Sequence, residues 1–150
     1  MTLLPTVELK AVALKSGLLL SLLMAASFST GVTAMAAPFS ASCVLLVLLP
    51  KSPFSAPRTL LISHLLCLST GILFLLVPLP QSLQVAGAAW IALLAMAWLR
   101  AVHAPALAHT VILCMGKQTV MSYVFWALMI VLSFTMFALY EERRPCSHAK

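Results

Sequence analysis

The chain has 150 residues, of which 63% are hydrophobic and only 8% are charged. A soluble globular domain carries about 25% charged residues, so this composition excludes an ordinary water-facing domain and predicts an all-α protein embedded in lipid. The net charge of +6 comes from nine Lys and Arg residues spread between apolar runs, a pattern typical of membrane helix ends rather than of a nucleic-acid surface.

The first half of the chain, about residues 10–77, predicts two full helices and a short one. No charge interrupts the run between Lys15 and Lys51, which is too long for one span of about 20 residues and slightly short for two. Proline is favoured in the first turn of a helix, so a short helix is predicted to begin near Pro38. Another full helix follows Arg58.

The second half, about residues 83–140, repeats this order. Full helices are predicted after the proline-marked turn at residues 77–82 and again within residues 117–141. The run between them, residues 100–117, is short for a full span, and Pro105 marks the start of a second short helix. The sequence therefore predicts a bundle of about six membrane segments, four long and two short.

Whether the two short helices cross the membrane or turn back decides the topology. If both turn back, five basic residues lie inside and four outside, which is no bias. If both cross, there are six crossings and both termini are cytoplasmic, and only Lys117 of the nine Lys and Arg residues lies outside. The positive-inside rule therefore favours six crossings of the cell (inner) membrane.

The two proline segments also align with each other, at an offset of 105 − 38 = 67 residues. Matching positions are Ala34, Ala37, Pro38, Ala41 and Val44 with Ala101, Ala104, Pro105, Ala108 and Val111. Because each half would cross three times, the second half would be upside down, as in many transporters. The sequence predicts an inverted repeat within one transmembrane domain, residues 1–150, ending in a short cytoplasmic tail, residues 141–150.

Three histidines, His64, His103 and His109, fall within these membrane segments. Ionisable residues at that depth are costly and tend to face an interior or a water-filled path. The alternative is that each imidazole stabilises helix packing through a hydrogen bond, and this is the favoured interpretation for His64. For His103 and His109, which flank the predicted helix start at Pro105, both interpretations stay open.

The two short helices could hold an anion at their starts. The beginning of a helix presents unpaired N–H groups and the positive end of a dipole. The predicted binding residues are Pro38, Ser40, Ser42, His103, Pro105, His109 and Thr110. A small anion is favoured over a cation because the three acidic residues, Glu8, Glu141 and Glu142, all lie near the chain ends.

Other kinds of site find little support in the sequence. The four cysteines show no CxxC spacing, and the histidines show no recognised ligand spacing, so we expect neither a metal nor another cofactor. Hydrolase and nucleotide motifs are absent, and we do not expect an enzyme. Arg58 is expected to anchor a helix end at the interface or, as an alternative, to guard a pore mouth.

Two segments carry a resemblance to a known family. Ser52-Pro53-Phe54-Ser55-Ala56-Pro57-Arg58 is followed by His64, and His103-Ala104-Pro105 comes after a turn and a helix. In order and spacing, these elements resemble the HPP family of integral membrane proteins over roughly residues 35–140. The resemblance implies a membrane protein, and members of this family in plastids and cyanobacteria are linked to nitrite transport.

This chain departs from the family pattern in two places. The His-Pro-Pro motif reads His103-Ala104-Pro105, with Leu107 where a small glycine is expected, and Leu61-Ile62-Ser63 replaces the family's glycines. A bulky Leu107 could narrow a path that other members keep open.

The sequence therefore predicts a small permease, or channel-like transporter, for a small inorganic anion of the nitrite class. The expected partners are the lipid bilayer, the anion and further copies in a homo-oligomer, and no nucleic acid. The alternative hypothesis is a non-transporting membrane subunit that scaffolds a larger complex.

Overall fold

The structure is a computed structural model that describes residues 6–31, 33–116 and 119–143. Its helices are α1 (Thr6–Thr30), α2 (Ala36–Leu48), α3 (Pro57–Leu75), α4 (Gln81–Trp98), α5 (Ala108–Cys114) and α6 (Val120–Arg143). Short 3-10 turns precede three of them, at Thr33–Met35, Pro53–Ser55 and Ala104–Leu107, and the last is called the Pro105 turn below. No strand occurs in these described ranges.

Four helices are long and apolar enough to cross a membrane: α1, α3, α4 and α6. The two shorter apolar segments, Thr33–Leu48 and Ala104–Cys114, lie between them. This confirms the predicted all-α bundle of four long and two short segments. The inverted repeat stays a prediction.

Prolines begin the helices where the sequence predicts them. Pro57 occupies the first turn of α3, where its missing N–H costs no hydrogen bond. Pro38 lies in the first turn of α2, and Pro105 lies in the first turn of the 3-10 segment before α5. Ser52 caps the Pro53–Ser55 turn by accepting a bond from the Phe54 N–H at 3.3 Å.

Contacts at one end of the bundle, called the near end, define the topology. Lys15 of α1 donates to Glu141 of α6 at 2.8 Å, so the first and last long helices meet there. Lys51, in the loop after α2, lines a cavity together with Glu142 of α6. A neighbouring cavity is lined by Phe54, from the same loop, and by Arg100, which follows α4.

The opposite, or far, end holds the other connections. The Gln81 side chain at the start of α4 donates to the carbonyls of Cys114 and Met115, at 3.2 and 3.1 Å, where α5 ends. Beyond Lys15, α1 continues for about 20 Å before it ends. The chain therefore runs between the two ends six times, as predicted. Lys117 lies outside the described residues.

The basic residues whose side chains the structure describes are all at the near end. They are Lys15, Lys51, Arg58, Arg100 and Arg143. The first three residues of the predicted tail belong to α6, which continues through Arg143, and Glu141 pairs with Lys15 in its last turn. The rest of the predicted tail lies outside the described residues.

Cysteine labelling tests this topology. In a background with the four native cysteines replaced, Lys51→Cys and Ser82→Cys are expected to react with a membrane-impermeant maleimide from opposite sides. Both positions are exposed, and they lie at the near and far ends. We expect Ser82→Cys to be labelled on intact cells and Lys51→Cys only after permeabilisation. Labelling of Lys51→Cys on intact cells, with Ser82→Cys labelled only after permeabilisation, would contradict six crossings and restore four.

The end of α4 directs the chain toward the centre of the bundle. Arg100 adopts a left-handed conformation (φ 51°), which costs a residue other than glycine about 1 kcal/mol. The Arg100 N–H donates to Ala97 O at 3.1 Å and the Ala101 N–H donates to Met96 O at 2.9 Å. This pair of hydrogen bonds defines a Schellman motif. The turn buries Ala101 and carries His103 into the core.

Helix α3 lies at the centre of the bundle and packs against α4, α5 and α6. Its closest approach is to α5, at Gly71. A Cβ placed on Gly71 would lie 2.9 Å from the Leu113 side chain and 3.2 Å from Thr110 Cα. The absence of a side chain at this position is what lets the two helices approach so closely.

Candidate functional site

The three membrane histidines meet in the middle of the bundle, and all three are fully buried. His64 lies in the middle of α3, His103 immediately before the Pro105 turn, and His109 is the second residue of α5. We call these three residues the histidine cluster. Their ring centroids lie 4.9 Å apart for His64 and His109 and 5.3 Å apart for His64 and His103.

His109 joins two buried partners from other helices. Its Nδ1 lies 2.6 Å from the Tyr123 hydroxyl of α6, and its Nε2 lies 2.8 Å from His64 Nδ1 of α3. Polar groups buried at this depth are expensive unless they are hydrogen-bonded. These two bonds therefore hold α3, α5 and α6 in register.

The direction of the hydrogen bonds follows from counting hydrogens. If the Tyr123 hydroxyl donates to His109, then His109 Nε2–H donates to His64 Nδ1, and His64 carries its hydrogen on Nε2. The reverse order would leave two groups unused, the Tyr123 hydrogen and His64 Nε2. The first order is favoured because it leaves only one.

That remaining group is His64 Nε2, which finds no hydrogen-bond partner in the part of the chain that the structure describes. In the favoured order this nitrogen carries a hydrogen. The chain of donors from Tyr123 through His109 thus ends on a buried N–H that is available to an acceptor.

His103 is held by different partners. Its Nδ1 lies 2.8 Å from Phe54 O, and because a carbonyl only accepts, Nδ1 carries a hydrogen. Its Nε2 lies 2.9 Å from Ser42 Oγ of α2, and that hydroxyl also lies 3.0 Å from Pro38 O. If His103 is neutral, its Nε2 accepts a hydrogen bond from the Ser42 hydroxyl. If His103 is protonated, its Nε2–H donates to Ser42 Oγ, and the Ser42 hydroxyl donates to Pro38 O instead.

Phe39 of α2 covers one side of the cluster. Its ring stacks on His64 with centroids 5.3 Å apart and an angle of 15°, and it lies tilted against His109 at 5.0 Å. Phe39 is in the first turn of α2 and His109 is in the first turn of α5, so the two short helices meet where they begin.

The remaining predicted site residues lie apart from the imidazoles or bond to the backbone. Thr110 is buried, but its hydroxyl donates to Leu107 O at 2.7 Å. The Ser40 hydroxyl donates to Ala37 O at 3.0 Å. Pro105 is half-buried, and Arg58 is exposed at the start of α3. Leu107 packs against a separate apolar group that includes Cys67 and Ala92.

Sequence analysis missed Tyr123 and Phe39. A tyrosine inside an apolar span needs a partner for its hydroxyl, and this requirement could have singled out Tyr123. Phe39 carried no such signal, because an aromatic residue in an apolar helix is ordinary. Lys51, which lines a near-end cavity, was also not singled out as a site residue.

Five of the six imidazole nitrogens of the cluster take part in recorded hydrogen bonds. Among the described residues, no group of three or more His, Cys, Asp or Glu side chains is placed to hold a metal ion. Cys43, Cys67 and Cys114 are buried free thiols in separate helices. Cys146 lies outside the described residues.

Fold and site together define a helical membrane protein with several spans and a buried histidine cluster at its centre. The family model for the HPP transmembrane region matches residues 4–141, which include α1 to α5, α6 as far as Glu141, and every member of the cluster. The chain belongs to the HPP family. No curated protein and no solved structure matches it.

Proposed function

We propose that this protein is a permease for a small inorganic anion of the nitrite class and that the anion binds at the histidine cluster. The observation that carries the proposal is the buried N–H at His64 Nε2, which has no acceptor among the described residues. A small oxyanion supplies such an acceptor. His103 and the Ser42 hydroxyl provide further polar atoms beside it.

The charge distribution supports an anion over a cation. Moving an anion into the bilayer requires a compensating positive charge or a proton. A neutral imidazole N–H can donate a hydrogen bond or pass on a proton. The sequence has no Asp or Glu between Glu8 and Glu141, so no carboxylate within the spans competes with a bound anion or attracts a cation.

The near end offers a path toward the cluster. A cavity of about 440 Å³ there is lined by Lys51, Ser52 and Pro53 among others, and a smaller one of about 170 Å³ is lined by Phe54 and Arg100. The carbonyl of Phe54 accepts the bond from His103. The loop that borders both cavities is therefore in direct contact with the cluster.

Side chains, rather than the helix starts alone, account for binding in this proposal. The first turns of α2 and α5 do meet, at Phe39 and His109. However, the Ala106 N–H of the Pro105 turn already bonds to His103 O at 3.0 Å. In this proposal the donor to the anion is therefore the His64 Nε2–H group.

Uptake into proteoliposomes tests the proposal. His64→Phe keeps a ring of similar shape and removes the N–H, so anion uptake is expected to fall about tenfold or more, since a hydrogen bond to a charged group contributes about 1.5–3 kcal/mol. Thr135→Val is the matched control, because that buried hydroxyl bonds only to its own helix at Val131 O. It should retain full uptake.

The proposal fails if the wild-type protein gives no flux with any member of a panel of small oxyanions. Full uptake by His64→Phe would place the binding site elsewhere in the bundle.

A second candidate function is a non-transporting membrane subunit of a larger complex. An apolar groove of about 280 Å³ between α1 and α6 favours it, since Leu22, Trp126 and Met129 on its walls offer a surface to another membrane helix. Purification in mild detergent tests this candidate. A stoichiometric foreign partner would support the subunit role, whereas a dimer or trimer of this chain alone would support a self-assembling permease.

We also infer that the near end faces the cytoplasm, which puts both termini on that side of the inner membrane. The basic side chains of the described residues lie at that end, and such residues are retained on the cytoplasmic side.

A further inference from the structure

The cluster consists of two hydrogen-bonded segments that do not connect with each other. The near segment contains Phe54 O, His103 and Ser42, and the far segment contains Tyr123, His109 and His64. His64 and His103 lie between them with ring centroids 5.3 Å apart and with no hydrogen bond recorded between their rings.

The two segments reach toward opposite ends of the bundle. Phe54 belongs to the near-end loop that borders the cavities described above. Tyr123 is the fourth residue of α6, and α6 begins at the far end. The recorded hydrogen bonds therefore form one run on the near side and one on the far side, and the two runs break off between His103 and His64.

We propose that an anion entering from the far end binds at His64 Nε2, receives a proton through the far segment and leaves by the near-end cavities as the neutral acid, so that anion and proton cross the membrane together. This inference rests on the proposed function and adds the coupling ion and the chemical class of the substrate to it.

The proton transfer balances without any further reagent. His64 gives its Nε2 proton to an oxygen of the anion and takes the Nε2 proton of His109 on Nδ1. His109 takes the Tyr123 hydroxyl proton on Nδ1, and Tyr123 takes one from a hydronium ion that reaches it from the far end, which leaves water. Each step breaks one N–H or O–H bond and forms another. The cluster keeps its original charge, and afterwards His64 donates to His109 and His109 donates to Tyr123.

The groups that surround His64 favour an electrically neutral core when the protonated anion is bound. Titratable side chains that face it are His109 from α5, His103 from the preceding turn and, one step further along the chain of bonds, Tyr123 from α6. The carboxylates with described side chains, Glu141 and Glu142, are at the near end. A protonated anion therefore leaves no unbalanced charge within the described part of the core.

The pathway selects one class of anion. An imidazole N–H can pass its proton to the conjugate base of a weak acid, such as nitrite or formate. It cannot do so usefully to nitrate or chloride, which are conjugate bases of strong acids. We therefore expect transport of weak-acid monoanions, driven by a pH gradient and insensitive to membrane potential.

Proteoliposomes that contain an internal pH dye test the coupling, with protein-free vesicles subtracted to remove passive permeation of the neutral acid. Nitrite uptake is expected to acidify the interior by one proton for each anion and to be unchanged by an imposed potential. Nitrate uptake is expected to be at least about tenfold slower.

Tyr123→Phe removes the hydroxyl and keeps the ring, so it interrupts proton delivery while leaving His64 in place. Coupled uptake is expected to fall about tenfold or more, while stabilisation of the protein by nitrite in a thermal melt is retained. Tyr140→Phe, which changes an exposed tyrosine on the same helix, is the control and should keep the coupling.

Each remaining outcome has a definite meaning. Nitrite uptake that carries current, or nitrate uptake as fast as nitrite uptake, would overturn proton coupling and leave the permease intact. Unchanged coupling in Tyr123→Phe would overturn the far segment as the proton pathway. No uptake of any anion would overturn both the permease and this inference.

Discussion

Replacing His109 by phenylalanine is expected to lower the free energy of unfolding by about 2–5 kcal/mol and to abolish anion uptake. The substitution keeps a buried ring but removes both nitrogen atoms. The Tyr123 hydroxyl and His64 Nδ1 then lose the partners that now lie 2.6 and 2.8 Å away. Leaving a buried polar group unpaired costs about 1–3 kcal/mol, and here two groups are affected.

The double variant His109→Phe with Tyr123→Phe is the matched control. It removes the tyrosine hydroxyl as well, so one of the two unpaired groups no longer exists. We expect the double variant to be more stable than His109→Phe alone, by about 1 kcal/mol or more. Unfolding in mixed detergent micelles measures both. A His109→Phe protein as stable as the wild type would contradict the hydrogen-bonded cluster.

Replacing Gly71 by valine is expected to be at least as damaging, with a loss of about 3 kcal/mol in stability. Even a single Cβ at this position would lie 2.9 Å from the Leu113 side chain and 3.2 Å from Thr110 Cα. The second contact is to backbone, which cannot rotate away. Helices α3 and α5 must therefore move apart.

This movement should also reduce transport. His64 precedes Gly71 by seven residues on α3 and so lies on the same face of the helix. Separating α3 from α5 lengthens the bond between His64 and His109. We expect Gly71→Val to lose nitrite-dependent proton uptake as well as stability.

Gly17→Val provides the comparison for Gly71→Val, because a Cβ on Gly17 in α1 meets nothing within 4 Å. Both substitutions put a β-branched residue into an apolar helix, so their difference isolates the contact between α3 and α5. Equal stability of the two variants would show that the helices are farther apart than the structure places them.

The order of the segments could be predicted because charges and prolines mark their ends. Pro57 begins α3, and the prolines of residues 77–80 separate α3 from α4, as the sequence indicated. The distribution of basic residues placed Lys51 at the end of the bundle where the chain's last long helix ends, and Lys51 lines a cavity together with Glu142 of α6. Prolines and charges mark a helix end through local backbone geometry and solvation, so each can be interpreted without knowing which helices pack against it.

The partners within the cluster could not be predicted in the same way. The helices are apolar on nearly all sides, so hydrophobic periodicity does not tell which face of α3 meets α5. Sequence reasoning placed Ser42 and His103 in one site, and the structure joins them at 2.9 Å. It favoured a packing role through a hydrogen bond for His64, and the structure records a bond between His64 Nδ1 and His109 Nε2 while leaving His64 Nε2 without a partner among the described residues.

The grouping of positive side chains at the near end gives the molecule a fixed polarity across the bilayer. In an energised cell with a negative interior, each of Lys15, Lys51, Arg58, Arg100 and Arg143 would have to be carried against the field if the protein inserted upside down. That work is about 2.3 kcal/mol per charge for every 100 mV. Synthetic vesicles formed without a voltage lack this bias, so both orientations should coexist in them.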